Sequence, residues 1–155
     1  MMKYLLDTNI PLYLEDIDSP FNQPVQERFQ QLQDEDQVFM SVLSLYELYY
    51  GVALRKKGGE EHLAEHSLRV IDAIKKRFTL LPLTGKEAST FGEMKALYKD
   101  RSKKKENKQE TIKKHDIDFI IASTAIEYGL VVVSNDTIFQ RIKELYPDLR
   151  FENWV

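Results

Sequence analysis

Four carboxylates, Asp7, Glu47, Asp118 and Asp136, stand where strands alternating with helices would deliver them to one edge of a sheet. Asp7 follows the apolar run Lys3–Leu6, and Asp136 follows Leu130–Val133 across Ser134-Asn135. Glu47 lies one turn into the helix expected after Val38–Ser41, and Asp118 in the first turn of the helix leading to Leu130. Carboxylates gathered in one pocket repel one another unless a cation neutralises them. Oxygen ligands without Cys or His select hard ions such as Mg²⁺ or Mn²⁺. An ion of that kind suits phosphodiester hydrolysis, because it acidifies a water and offsets charge on the phosphate and the leaving oxygen.

Each acid also has a local explanation. Asp7 in Asp-Thr-Asn fits an Asx-turn or a helix N-cap. Ser44-x-x-Glu47 matches a capping box, in which Glu47 would reach back to the backbone of Ser44. Asp116 and Asp118 sit where helix N-termini favour carboxylates, and Asp136 fits a turn. Four separate local roles leave their joint placement at one edge unexplained.

The elements that must position them are read from periodicity. Lys3–Leu6 and Val38–Ser41 are short strands, and a helix opens at Ser44 and runs to about Lys56 before Gly58-Gly59. Leu63, Ser67, Val70, Ile71, Ile74 and Phe78 form one helical face. Phe78–Leu83 is a third strand, 86–97 a helix, and Ile117 to Tyr128 a helix closed by Gly129. Leu130–Val133 has no alternation and reads as a strand buried on both faces at the sheet centre. A short helix from Ile138 to Leu145 and an edge strand within Leu149–Trp154 complete the chain. The pattern predicts an α/β fold, a three-layer α/β/α sandwich on a mostly parallel sheet, as a single domain over 1–155.

Composition narrows the classes. With no Cys among 155 residues, disulfides, thiolate metal sites and cysteine nucleophiles are excluded. The run Met1–Leu6 is too short for a signal-peptide core and is cut by Asp7, and no stretch is long enough to span a bilayer. The expectation is a cytoplasmic protein with no membrane partner. Net charge is −3, yet the segment 99–115 carries about +5, leaving about −8 on the rest. Within that strip Lys103, Lys104, Lys105, Lys108, Lys113 and Lys114 either form a solvated surface or contact a nucleic-acid backbone.

Several segments together resemble the PIN-domain nucleases, and specifically the VapC-type toxins. Tyr4-Leu5-Leu6-Asp7-Thr8-Asn9 is similar to the opening strand motif. Ser41 to Leu48, followed by Gly51, is similar to the second, where a strand-end Ser precedes a helix carrying Glu. Asp118-Phe119-Ile120-Ile121-Ala122 resembles the third motif, and Leu130–Asp136 the fourth. Phe139-x-Arg141-Ile142 with Glu152-Asn153-Trp154 resembles the family's tail. The resemblance spans essentially the whole chain in the family's order. It implies a five-stranded PIN-like sheet and a Mg²⁺- or Mn²⁺-dependent endoribonuclease acting on RNA. In that reading Asp7, Glu47, Asp118 and Asp136 bind the metal, while Asn9 and Ser134 orient a carboxylate or water. It further implies a homodimer and a VapB-type antitoxin whose tail occupies the cleft.

Asp116 lies two residues before Asp118, and residues two apart on a helix point in different directions. The spacing to Ala122 selects Asp118, with Asp116 as N-cap, though the two could be exchanged. The strip before Asp118 is longer than in compact family members, and its position near the cleft mouth favours RNA-backbone contact. His62-x-x-Glu65-His66 formally matches an inverted zinc-peptidase motif, but both histidines turn away from the apolar face of their helix. A dehalogenase-type phosphotransferase would need an acid where Asn9 stands, and a receiver domain a late-strand Lys that Ser134-Asn135-Asp136 lacks. The alternative of another class is a catalytically inactive PIN-like module that only binds RNA or protein.

Overall fold

Alternation along the first strand sets the layers. In the computed structural model, which describes residues 1–101 and 115–155, the chain runs β1 (Lys3–Leu6), α1 (Asn9–Glu15), α2 (Asn22–Gln30), β2 (Gln37–Ser41), α3 (Val42–Lys57), α4 (Glu61–Arg77), β3 (Thr79–Leu81), α5 (Ala88–Arg101), α6 (Asp116–Tyr128), β4 (Val131–Val133), α7 (Thr137–Leu145) and β5 (Arg150–Glu152). Successive side chains of a strand point to opposite faces. Leu5 and Val132 therefore pack with Met94, Phe119 and Phe139 of α5, α6 and α7. Tyr4, Leu6, Val131 and Val133 pack on the other side with Ile10, Val25 and Ile74 of α1, α2 and α4. Helices cover both faces, as the three-layer reading requires.

The five strands lie in the order β3-β2-β1-β4-β5, and every neighbouring pair is parallel. The middle position belongs to β1, not to Val131–Val133. β4 is fully buried, as its unbroken apolar run implied, but it lies one place from the centre. Burial on both faces is shared by every interior strand, so it could not single out the middle one.

Two helices differ from their sequence reading. α3 begins at Val42, and its N-cap is Ser41, whose hydroxyl accepts the Leu43 N–H at 3.2 Å. On α4 the buried positions are Ala64, Ile71 and Ile74, while Leu63 is 42% exposed. Ala64 fits in close contact with α3, whose Leu45 and Val52 share its cluster. A small side chain there lets the helices approach, and the larger neighbour is left outside.

The C-terminal tail is fastened by an aromatic corner. The Trp154 indole meets Tyr4 and Phe29 edge-on at 5.1 and 5.3 Å. Its Nε1–H donates to Glu152 at 2.8 Å, and Arg28 donates to the same oxygen at 3.0 Å. Among the described residues no helix is long and apolar enough to cross a membrane.

α6 ends as its sequence implied. Gly129 adopts φ +66, the Leu130 N–H bonds to the Ala125 carbonyl at 2.8 Å, and β4 starts at once. A Cβ at Gly129 would meet nothing within 4 Å, so the cost of Gly129→Ala is backbone strain alone. That variant is expected to lose about 1 kcal/mol and to melt a few degrees lower, measured by thermal denaturation.

Candidate active site

The carboxyl ends of β1, β2 and β4 meet at one edge, and the side chains just beyond them build the site. The Asp7 N–H donates to the Val133 carbonyl at 2.9 Å, carrying the β1–β4 pairing one residue past the strand. This draws the Asp7 side chain in until it is 6% exposed. One carboxylate oxygen accepts the Ser134 hydroxyl at 2.8 Å, and the other accepts the Thr8 N–H at 2.9 Å. The Ser134 hydroxyl also accepts the Asp136 N–H at 3.0 Å, so one buried hydroxyl ties two of the four acids together.

Glu47 reaches across to the start of α1 rather than back along α3. The Thr8 hydroxyl donates to Glu47 Oε1 at 2.7 Å and lies 2.9 Å from the hydroxyl of Ser44. Because Ser41 caps α3, Ser44 is a fully buried residue inside the helix, and the capping-box reading of Ser44 and Glu47 is overturned. Asp136 is the N-cap of α7, accepting the Ile138 N–H at 3.1 Å through Oδ1.

Asp116 and Asp118 point in different directions. Asp118 Oδ2 lies 3.0 Å from His115 Nδ1 and is electrostatically coupled to Asp136 and Glu47. Asp116 points to α5, where its Oδ1 is 2.8 Å from Lys95 Nζ, a charge contact rather than a well-directed hydrogen bond. Nor is Asp116 the N-cap. His115 takes that position, without a side-chain capping bond.

The electrostatics link the four acids. Burial pushes the Asp7 carboxyl up to about 6, and the charges of Asp118 and Glu47 add to the rise against the Ser134 and Thr8 hydrogen bonds. Asp118 is likewise raised, first by burial and then by Asp136 and Glu47, while His115 opposes the shift. As the side chains lie, no three Asp, Glu or His among the described residues are grouped closely enough to hold a metal ion together. The arrangement is an acidic neighbourhood, not a closed cage.

Asn9 opens α1 and is exposed, and the groups that orient carboxylates are Thr8 and Ser134. Thr8 and Ser44 were missed because a local turn and a capping box accounted for them. The long gap between residues 8 and 47 carries no sequence signal of contact. The Lys103–Lys114 strip lies outside the described residues. His62 and His66 are both exposed on α4, as their helical angle predicted. Beside Glu47 and Thr8 an open cleft of about 640 Å³ runs between α1, α3 and α4, floored by Leu12, Leu48, Val52 and Val70.

A family model for the PIN domain matches residues 4–145, a span that contains all four acids. Two curated relatives, Ribonuclease VapC2 of Haemophilus influenzae strain Rd and Ribonuclease VapC of strain 86-028NP, are each 32% identical over 160 residues, covering 100% of both chains. Among solved structures, VapBC2 from Rickettsia felis bound to a promoter DNA fragment matches with a TM-score of 0.73 and 26% identity, over 99% of this chain and 100% of that one. DNA-bound VapBC from Salmonella typhimurium matches with a TM-score of 0.68 and 27% identity, over 100% of both. Fold, motif order and full-length relatives agree, and this chain belongs to the PIN-domain family, among its VapC ribonucleases.

Proposed function

We propose that this chain, as a single domain, is a divalent-metal-dependent endoribonuclease that hydrolyses RNA phosphodiester bonds as the toxin of a VapC-type pair. The observation that carries the reading is the buried Asp7 carboxylate at the sheet edge, held by Ser134 and by Thr8, whose hydroxyl also holds Glu47. Four carboxylates whose charges oppose one another fit Mg²⁺ or Mn²⁺. Mg²⁺ keeps several waters and is held through one or two carboxylates, so a closed set of three is not required. Asp7, Glu47, Asp118 and Asp136 would hold the ion, which supplies positive charge at the phosphate and a water acidic enough to attack it.

The protein's own groups do the positioning. Ser134 and the Thr8 N–H fix both oxygens of Asp7, and the Thr8 hydroxyl fixes Glu47. The cleft beside Glu47, apolar below and acidic at its rim, suits the tail of a VapB-type antitoxin carrying apolar and basic side chains. A homodimer and RNA-backbone contact by the Lys103–Lys114 strip belong to the same proposal. The absence of a ready three-ligand cluster among the described residues favours the second reading, a module that binds RNA or protein without cutting it. An RNA digest separates the two.

Single-stranded RNA is expected to be cut with Mg²⁺ or Mn²⁺. Excess EDTA abolishes cleavage, and so does Asp7→Asn. Full activity of either control would remove the metal mechanism. Thr8→Val, which frees Glu47, should lower kcat about tenfold and weaken metal activation, measured by metal titration of the rate.

Asp7 also predicts a pH effect on stability. A folded pKa near 6 against an ordinary 3.8 means the fold favours the protonated acid. Its contribution is fully present below about pH 4 and is lost as pH rises through about 6, on the order of 2–3 kcal/mol. In EDTA, Asp7→Asn should therefore melt above wild type at pH 7.5, with the gap closing near pH 4. Millimolar Mg²⁺ should raise the wild-type Tm and leave the variant nearly unmoved. Equal melting of the two proteins at pH 7.5 would contradict the electrostatic account. Neutralising Lys103, Lys104 and Lys105 is expected to flatten the log–log salt dependence of RNA binding by about 2.

A further inference from the structure

The N-cap of α6 is filled by a residue that does not cap. A helix start leaves its first N–H groups without partners, and Ser, Thr, Asp or Asn usually accepts one of them through a side-chain oxygen. His115 holds that position with φ −101° and ψ 9°, and its side chain makes no capping bond. Its backbone does begin the helix, the carbonyl accepting the Phe119 N–H at 2.9 Å. The ring is turned instead to Asp118, three residues on, with Nδ1 at 3.0 Å from Oδ2. Both side chains are sheltered, at 17% and 19% exposed.

An acid three residues after the N-cap stands where a capping box closes, its carboxylate swinging back to the N–H of the cap residue. An Asp118 bound in that way would face its own helix end rather than the other acids. In this chain the box stays open. Among the described residues His115 is the one side chain bonded to Asp118. A carboxylate can only accept, so the imidazole donates through Nδ1–H. Lys95 of α5 meets Asp116 at 2.8 Å, which pins the same turn of α6 independently of the histidine.

We propose that His115 is a positioning residue for the metal site, its Nδ1–H holding Asp118 toward the other acids and out of a capping box. The inference rests on the metal-dependent nuclease reading and adds to it a residue outside the four acids. Asp7 is held by Ser134, Glu47 by Thr8 and Asp136 by the Ile138 N–H. Asp118 is held by the cap residue of its own helix. The role needs one donor at the place of Nδ1 and does not depend on the charge of the ring. An outer partner that fixes a metal ligand changes affinity by about 10- to 100-fold.

The test is Mn²⁺ binding by the protein without RNA, read from the electron paramagnetic resonance signal of free Mn²⁺ at one fixed pH. Melting curves in EDTA are recorded alongside. His115→Ser removes the Nδ1 donor, supplies a good cap oxygen and invites the capping box. It should melt at or above wild type while binding Mn²⁺ about 10- to 100-fold more weakly. His115→Ala should bind as weakly as the serine variant. His115→Asn places an amide N–H where Nδ1 stands and should bind within about threefold of wild type. The Mn²⁺ concentration for half-maximal RNA cleavage should rise in the same order. A folded His115→Ser protein that binds Mn²⁺ as tightly as wild type would overturn the proposal. So would equal weakening in His115→Asn, which would make the bulk of the ring, not its donor, the feature that matters. If wild type binds no Mn²⁺, the metal-dependent reading fails and the role of His115 with it. If wild type binds and His115→Ser binds equally, only the role of His115 fails.

Discussion

A carboxylate that the fold has taken out of water is the constraint on which this site depends. Asp7 follows the middle strand of a parallel sheet, and its N–H continues the ladder to Val133. Backbone pairing, not the chemistry of the side chain, carries the group inward. Once there it receives two hydrogen bonds, but burial and two neighbouring acids outweigh them, and the charged form is disfavoured relative to water, the carboxyl being raised to about 6. A native state that opposes the charge of its own residue has given up stability at neutral pH, and sites that do so are enriched in function.

What surrounds the acids is as informative as the acids. Hydroxyls, from Thr8, Ser44 and Ser134, link them to one another and to the backbone. The described Lys and Arg ion pairs lie elsewhere: Arg28 with Glu152, Arg77 with Glu15 and Lys95 with Asp116. Among the described residues only His115 contacts one of the four, at Asp118. A hydroxyl orients a carboxylate without cancelling its charge, whereas a lysine in the same place would supply the countercharge itself. The same economy appears in α3, where one helix buries Ser44 and Leu45 against the core and turns Glu47 outward.

The parts of this arrangement that could be read in one dimension are those set by local periodicity. The strand–helix alternation, the cap at Gly129, the double burial of Val131–Val133 and the exposure of His62 and His66 follow from repeat lengths of two and 3.6 residues. The family motifs added order and identity, and the matched span contains every acid they singled out. Errors arose where two local explanations were equally good. Ser41 and Ser44 both suit an N-cap, and only the register of β2 against β1 and β3 decides that the strand stops at Ser41 and hands over to the helix there. Leu63 suits a buried face better than Ala64 until a second helix packs close enough to need the smaller residue.

The sequence by itself determined the class of fold, the kinds of ligand the chain could offer and the four acids worth watching, because residue type and spacing along one chain suffice for those. Tertiary structure alone decided which groups share a point in space. It set Thr8 against Glu47 across 39 residues and Ser134 against Asp7 across 127. It turned Asp118 toward the other acids and Asp116 toward Lys95. Those outcomes depend on strand register and on the angle at which helices meet the sheet, which are fixed by packing between distant segments and leave no trace in the spacing of neighbours.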